Sequence, residues 1–132
     1  MHHKIITTAV SLVLAAVSFP ASAAETIPAK VGDCARTGIA STGKRLEDAS
    51  THKPMPDSGS VVTLTNGLIL ISYDAIPAID KSRRGDPILV CLVSVPNNCP
   101  PGDNRGKFYT ATNLRRVESW TLPDSQHMCG GA

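Results

Sequence analysis

Residues 60–73, SVVTLTNGLILISY, place two apolar runs on either side of the dipeptide Asn66-Gly67. Asn-Gly between strand-forming residues is a strong signal for a tight β-hairpin. If these two residues form the whole loop, Leu64 faces Ile69 across the hairpin. Side chains alternate between the two faces of a strand, so this register predicts a single core face. Its members are Val62, Leu64, Ile69, Ile71 and Tyr73.

Strand patterns recur on both sides of the hairpin. A first strand is predicted within residues 34–46, although the sequence does not define where it ends. The run ILVCLVSV, residues 88–95, follows Pro87 and is apolar at nearly every position, which predicts a central strand covered on both faces. KFYTAT and VESWTL, residues 107–112 and 117–122, predict a second hairpin. Between the first hairpin and the central strand, residues 74–80 predict one helical turn that starts near Pro77.

About six short strands joined mostly by short turns predict an all-β fold. The simplest arrangement is a small antiparallel meander that closes into an SH3-like or OB-like barrel, because closure removes exposed strand edges. A two-sheet β-sandwich is the alternative. Residues 47–59, EDASTHKPMPDSG, have no hydrophobic period and predict a long loop.

The amino end has the pattern of an export signal. Lys4 precedes an apolar run, Pro20 breaks it, and Ala21 and Ala23 occupy the positions of a cleavage site. Residues 1–23 are therefore predicted to be a cleaved signal peptide and residues 24–132 a single domain. The run is too short to cross a bilayer, so we expect no membrane insertion. The signal is of a bacterial style, and the expected location is the periplasm or the medium outside the cell.

The charge of the mature chain is nearly balanced. Without residues 1–23, which contain Lys4, the chain has 12 Lys and Arg against 11 Asp and Glu, a balance of +1. This argues against nucleic acid as a partner. Few aromatic residues are present, so the core must be built mainly from Val, Ile and Leu, which makes covalent stabilisation more important.

All four cysteines lie in the predicted mature chain, and an even number in an exported protein predicts two disulfides. The favoured pairing joins Cys91 to Cys99 across a turn and Cys34 to Cys129 at the ends of the domain. The pairing of Cys34 with Cys91 and of Cys99 with Cys129 remains open as the alternative.

No residue pattern predicts a catalytic centre, a cofactor or a metal site. Asp124, Ser125 and His127 contain the residue types of a hydrolase triad, but such residues normally converge from different elements. His127 and Cys129 lack the clustered spacing of a zinc site. The chain is therefore predicted not to be an enzyme, and a small exported hydrolase is the rival hypothesis.

The strongest candidate for a binding site is a group of cations. In a meander, successive turns alternate between the two ends of the sheet, so the turns near residues 82–86 and 113–116 should meet. Their guanidinium groups could hold a phosphate, an acidic glycan or an acidic protein surface. The predicted ligand-binding residues are Arg83, Arg84, Arg115 and Arg116, with Lys53 from the long loop nearby.

These observations predict a small exported binding or accessory protein of the bacterial cell envelope. Its rigid, disulfide-linked framework would present loops to an acidic glycan or to a protein partner. Inhibitors of hydrolases are one subclass that fits, with the loop at residues 47–59 as the projecting element. A purely structural component of the envelope is a further alternative.

Overall fold

Six antiparallel strands form one sheet in the computed structural model, which describes residues 25–131. The predicted signal peptide, residues 1–23, and the predicted first mature residue, Ala24, lie outside the described residues. A 3-10 turn at Pro56–Ser58 and the short helix α1 at Pro77–Asp80 accompany the sheet. The strands are β1 (Cys34–Lys44), β2 (Ser60–Leu64), β3 (Ile69–Ser72), β4 (Pro87–Ser94), β5 (Phe108–Asn113) and β6 (Glu118–Pro123).

The strand order is β3-β2-β1-β4-β5-β6, with β1 in the middle of the sheet. Residues 34–38 of β1 pair with β4, and residues 39–44 pair with β2, with an irregularity between Ile39 and Ser41. The edge strands β3 and β6 contact each other without a shared ladder, so the sheet curls into a half-barrel. The predicted all-β antiparallel class is confirmed. The order departs from a consecutive meander at one point, because β4 pairs with β1 rather than with β3.

The hairpin around Asn66-Gly67 forms as predicted, but its loop contains three residues rather than two. Thr63 pairs with Ile69, and the N–H of Gly67 donates to the carbonyl of Leu64 at 3.0 Å. Gly67 has a φ of +89°, whereas Asn66 keeps a negative φ. This is a type I turn followed by a left-handed glycine, the usual three-residue hairpin loop.

The longer loop shifts the register by one residue and corrects the predicted core face on β3. The buried apolar side chains of the hairpin are Val62, Leu64, Leu68 and Leu70. Ile69 and Tyr73, which were predicted to be core residues, are 43% and 54% exposed, and Ile71 is half-buried. A slip of one residue turns every side chain of a strand to the opposite face, which is the reason for the error.

The core fills the concave side of the half-barrel. Ile79 of α1 packs into it, and Ile76 lies partly buried beside it. On β4 only alternate residues are buried, and Val93 is 42% exposed, so the prediction of a strand covered on both faces is wrong. The core consists of Ile39, Val62, Leu64, Leu68, Leu70, Ile79, Ile88, Val90, Leu92, Tyr109, Ala111, Trp120 and Leu122.

Two disulfides join Cys34 to Cys91 and Cys99 to Cys129. The favoured pairing, 91–99 with 34–129, is therefore wrong and the alternative is confirmed. The reason lies in the strand order, since β1 lies beside β4 and places Cys34 directly opposite Cys91 in the ladder. The two bridges indicate a protein of an oxidising compartment, outside the cytoplasm.

Residues 25–31 lie along the sheet ahead of β1. The Glu25 carboxylate accepts hydrogen bonds from the hydroxyls of Thr37 and Thr65, which lower its pKa. Pro28 is buried, and its carbonyl accepts a hydrogen bond from the Tyr109 hydroxyl at 3.5 Å. This segment is thus anchored at its first residue and at its middle. In residues 25–131 no helix combines the length and the apolar character needed to span a bilayer.

Candidate functional site

Two loops lie side by side at the start of β4 and the end of β5. The first, residues 81–86, leads from α1 into β4, and the second, residues 114–117, connects β5 to β6. They meet because β4 and β5 are antiparallel neighbours, with Ile88 opposite Asn113. The N–H of Leu114 donates to the carbonyl of Pro87 at 2.9 Å, which joins the two loops directly.

The side chain of Asn113 holds both loops. It is fully buried, and its amide nitrogen donates to the Ser82 hydroxyl at 2.9 Å and to Asp86 Oδ2 at 2.8 Å. Its oxygen accepts hydrogen bonds from the backbone N–H groups of Arg115 at 3.0 Å and Arg116 at 3.2 Å. One amide group therefore satisfies two donors in one loop and two acceptors in the other.

Every N–H group of the loop at residues 114–117 has an acceptor. The N–H of Leu114 donates to the Pro87 carbonyl, and the N–H groups of Arg115 and Arg116 donate to the side-chain oxygen of Asn113. The N–H of Val117 donates to the Asn113 carbonyl at 2.8 Å. Backbone donors that are fully paired hold a loop in one conformation. A loop ordered in this way loses little conformational entropy when it binds a partner.

Asp86 fixes the position of Arg115. Its carboxylate is buried, and it accepts a hydrogen bond from Arg115 Nη2 at 2.9 Å as well as one from the N–H of Arg83 at 2.9 Å. The Arg115 guanidinium is the largest of the causes that hold the pKa of Asp86 well below its usual range, and burial acts in the opposite direction. The hydrogen bond to Asp86 in turn raises the pKa of Arg115.

Arg116 is paired within its own loop. Its Nε donates to Glu118 Oε2 at 2.6 Å, and this hydrogen bond lowers the pKa of Glu118. The side chains of Arg83 and Arg84 are exposed, and no hydrogen-bonded or ionic partner for either guanidinium occurs among residues 25–131. These two groups are therefore available to a ligand.

We call the surface formed by these two loops the arginine face. Its cations are Lys81, Arg83, Arg84, Arg115 and Arg116. The structure thus brings together the four arginines that the sequence placed at one end of the sheet. Five cations against the two carboxylates Asp86 and Glu118 give a balance of +3, whereas the predicted mature chain as a whole has +1.

Lys53, the fifth predicted ligand-binding residue, lies in the loop between β1 and β2. Asp48 Oδ1 accepts hydrogen bonds from the N–H and hydroxyl groups of Ser50 and Thr51, which lower the pKa of Asp48 to about 2. A further backbone hydrogen bond joins Asp48 to Lys53 at 2.9 Å. The loop is therefore folded on itself rather than extended.

An open cleft of about 430 Å³ runs along this loop. Arg45 lies at one side, where its guanidinium stacks on the Tyr73 ring at 4.1 Å and donates to Ser58 O and Gln126 Oε1. The lining residues are Arg45, Leu46, Asp48, Thr51, Lys53, Pro54, Met55, Pro56, Asp57 and Ser58. The cleft carries both signs of charge, so it has no clear preference for an anion or a cation.

The residues considered for catalysis are used in local structure. Asp124 accepts hydrogen bonds from the N–H groups of Gly106 and Lys107, and the Ser125 hydroxyl donates to the carbonyl of His127 at 2.7 Å. In the described part of the chain, no three His, Cys, Asp or Glu side chains are grouped closely enough to hold a metal ion.

No protein-family model matches this chain, and no similar curated protein or solved structure was found.

The role of Asn113 could not be predicted from the sequence, because an Asn next to a turn is normally an exposed turn residue. The only available hint was its place between a strand and the pair Arg115-Arg116.

Proposed function

We propose that this chain is an exported, non-catalytic binding protein of the bacterial cell envelope, periplasmic or secreted, which binds an acidic partner on its arginine face. The observation that carries the proposal is the buried Asn113 side chain, which locks two arginine-bearing loops into one rigid surface. A network of this kind orders the loops beyond what the strands alone require.

The distribution of charge supports an acidic partner. The arginine face has a formal net charge of +3, whereas the predicted mature chain as a whole has +1. The residues outside the face therefore carry a net charge of −2. Such an asymmetry steers an acidic partner to one side of the molecule. Guanidinium groups also bind carboxylates with paired hydrogen bonds, which adds geometric selectivity.

The two exposed arginines provide the direct test. We expect the mature chain to be retained on immobilised poly-L-glutamate or on polygalacturonate, a polymer of uronic acids. The double variant Arg83→Gln with Arg84→Gln should elute at a lower salt concentration, because it loses the two unpaired guanidiniums. The matched control is Lys30→Gln with Lys107→Gln, which removes the same charge near the opposite ends of β4 and β5.

The outcomes separate the hypotheses. If only the arginine variant elutes early, the arginine face is the binding surface, and the more strongly retaining polymer identifies a protein or a glycan as the partner class. If both double variants elute equally early, retention reflects net charge alone and the proposal is wrong. Wild-type protein that neither polymer retains also contradicts it.

A further inference from the structure

Val117 is an exposed valine in a left-handed backbone conformation. Its φ is +56°, and its side chain is 84% exposed at the tip of the loop between β5 and β6. This conformation costs an L-residue energy because Cβ approaches the following carbonyl, and a branched Cβ makes it a clear outlier. Glycine or asparagine would occupy the position with less strain.

The loop requires this conformation at position 117. The N–H of Val117 donates to the Asn113 carbonyl at 2.8 Å, and the next residue, Glu118, pairs with Asn113 to begin β6. The chain must therefore reverse at Val117. Since the side chain has almost no contact with the protein, the valine contributes neither to the core nor to the turn.

A single exposed apolar residue has no meaning by itself, because many proteins carry them. An exposed valine that also strains the backbone is different, since its conformation costs free energy and no burial of the side chain offsets that cost. Its neighbours are the arginines of the face, and Leu114 on the same loop is 37% exposed. The tip thus presents apolar side chains on the loop that also carries Arg115 and Arg116.

We infer that Val117 is an apolar anchor, and that the partner of the arginine face is a protein whose acidic surface carries an aromatic or aliphatic side chain. This inference rests on the proposed function. Protein interfaces typically combine an apolar centre with a polar rim, and arginine is enriched in them. A uronic-acid glycan offers charge but fewer apolar groups, so the valine favours a protein.

The experiment compares poly-L-glutamate with a random copolymer of glutamate and tyrosine in the same binding assay. Wild-type protein should bind the copolymer more tightly, because the tyrosine ring can pack on Val117. In Val117→Asn this preference should fall by roughly five- to tenfold, the effect of losing one partly buried valine, while binding to poly-L-glutamate stays unchanged. The same variant should unfold at a temperature about 4–8 °C higher, because asparagine tolerates the backbone conformation.

Val95→Asn is the matched control, since Val95 is also exposed, at 44%, but follows β4 and keeps a negative φ. It should change neither the preference nor the melting temperature. Equal preference of wild type and Val117→Asn for the copolymer overturns the inference, as does tighter binding to polygalacturonate than to either polypeptide. Failure of the proposed function looks different, because binding to poly-L-glutamate would then not depend on Arg83 and Arg84.

Discussion

Replacement of Asn113 by alanine should separate the two loops of the arginine face and destabilise the fold. The variant loses hydrogen bonds to the Ser82 hydroxyl and to Asp86, and it leaves the N–H groups of Arg115 and Arg116 without their acceptor. Three neutral hydrogen bonds contribute about 1 kcal/mol each, and the one to a carboxylate about 2 kcal/mol. Water can replace some of the lost hydrogen bonds at the partly exposed N–H groups. We therefore expect the free energy of unfolding to fall by about 3–4 kcal/mol.

Thermal and urea unfolding of the oxidised mature chain measure this loss. For a domain of this size, 3 kcal/mol lowers the melting temperature by at least about 12 °C. The control is Ser119→Ala, which removes an exposed hydroxyl hydrogen bond to Thr112 in the same hairpin and should cost less than about 1 kcal/mol. A loss below about 1 kcal/mol for Asn113→Ala would refute the claim that this side chain holds the loops.

Asn113→Asp gives an independent check through pH. The new carboxylate would face Asp86 Oδ2, where the amide nitrogen now lies at 2.8 Å. Two carboxylates that share a site raise the pKa of one of them, so the folded state of this variant binds a proton more tightly than the unfolded state. Its stability should therefore increase as the pH falls from about 7 towards 4. Wild-type protein should not gain stability over that range.

Two further predictions concern stability. Because the folded-state pKa of Asp86 is lowered, its contribution is complete above the unfolded pKa of about 3.9 and is lost as the pH falls below that value. The difference in free energy of unfolding between wild type and Asp86→Asn should therefore become smaller as the pH falls from 7 to 2. A difference that stays constant over this range would contradict the prediction. Gly59→Ala should cost more than about 3 kcal/mol in urea unfolding, because its Cβ would lie 2.0 Å from the carbonyl oxygen of Ser72. Gly67→Ala, with a similar φ but open space, should cost only about 1–2 kcal/mol, and equal losses would show that the contact at Gly59 is unimportant.

The sequence predicted the strands well and the register of the hairpin poorly. The dipeptide Asn66-Gly67 suits both a two-residue and a three-residue loop, since glycine is left-handed in each. The apolar pattern could not choose between them, because residues 68–71, LILI, are hydrophobic at every position. Either register gives a plausible core face on β3. The packing of the complete half-barrel decides which one forms.

Some of the long-range features could be predicted from the sequence. The meeting of the two arginine-bearing loops followed from the alternation of turns along an antiparallel sheet, and it holds because β4 and β5 remain neighbours. The disulfide pairing depends on β1 lying beside β4, which spacing along the chain does not encode. The ion pairs that occupy Arg115 and Arg116 were also missed, since their partners are visible only when loop geometry is known.

The placement of the two disulfides determines what a single proteolytic cut does to the molecule. The exposed connections at residues 45–59, 73–86 and 114–117 each lie between the two cysteines of one bridge. A single cut in any of them leaves both fragments covalently joined and close enough to stay assembled. Between Cys34 and Cys129, only residues 92–98 lie within neither span. A molecule cut within either span would therefore remain one covalent particle, as long as its compartment keeps the disulfides oxidised.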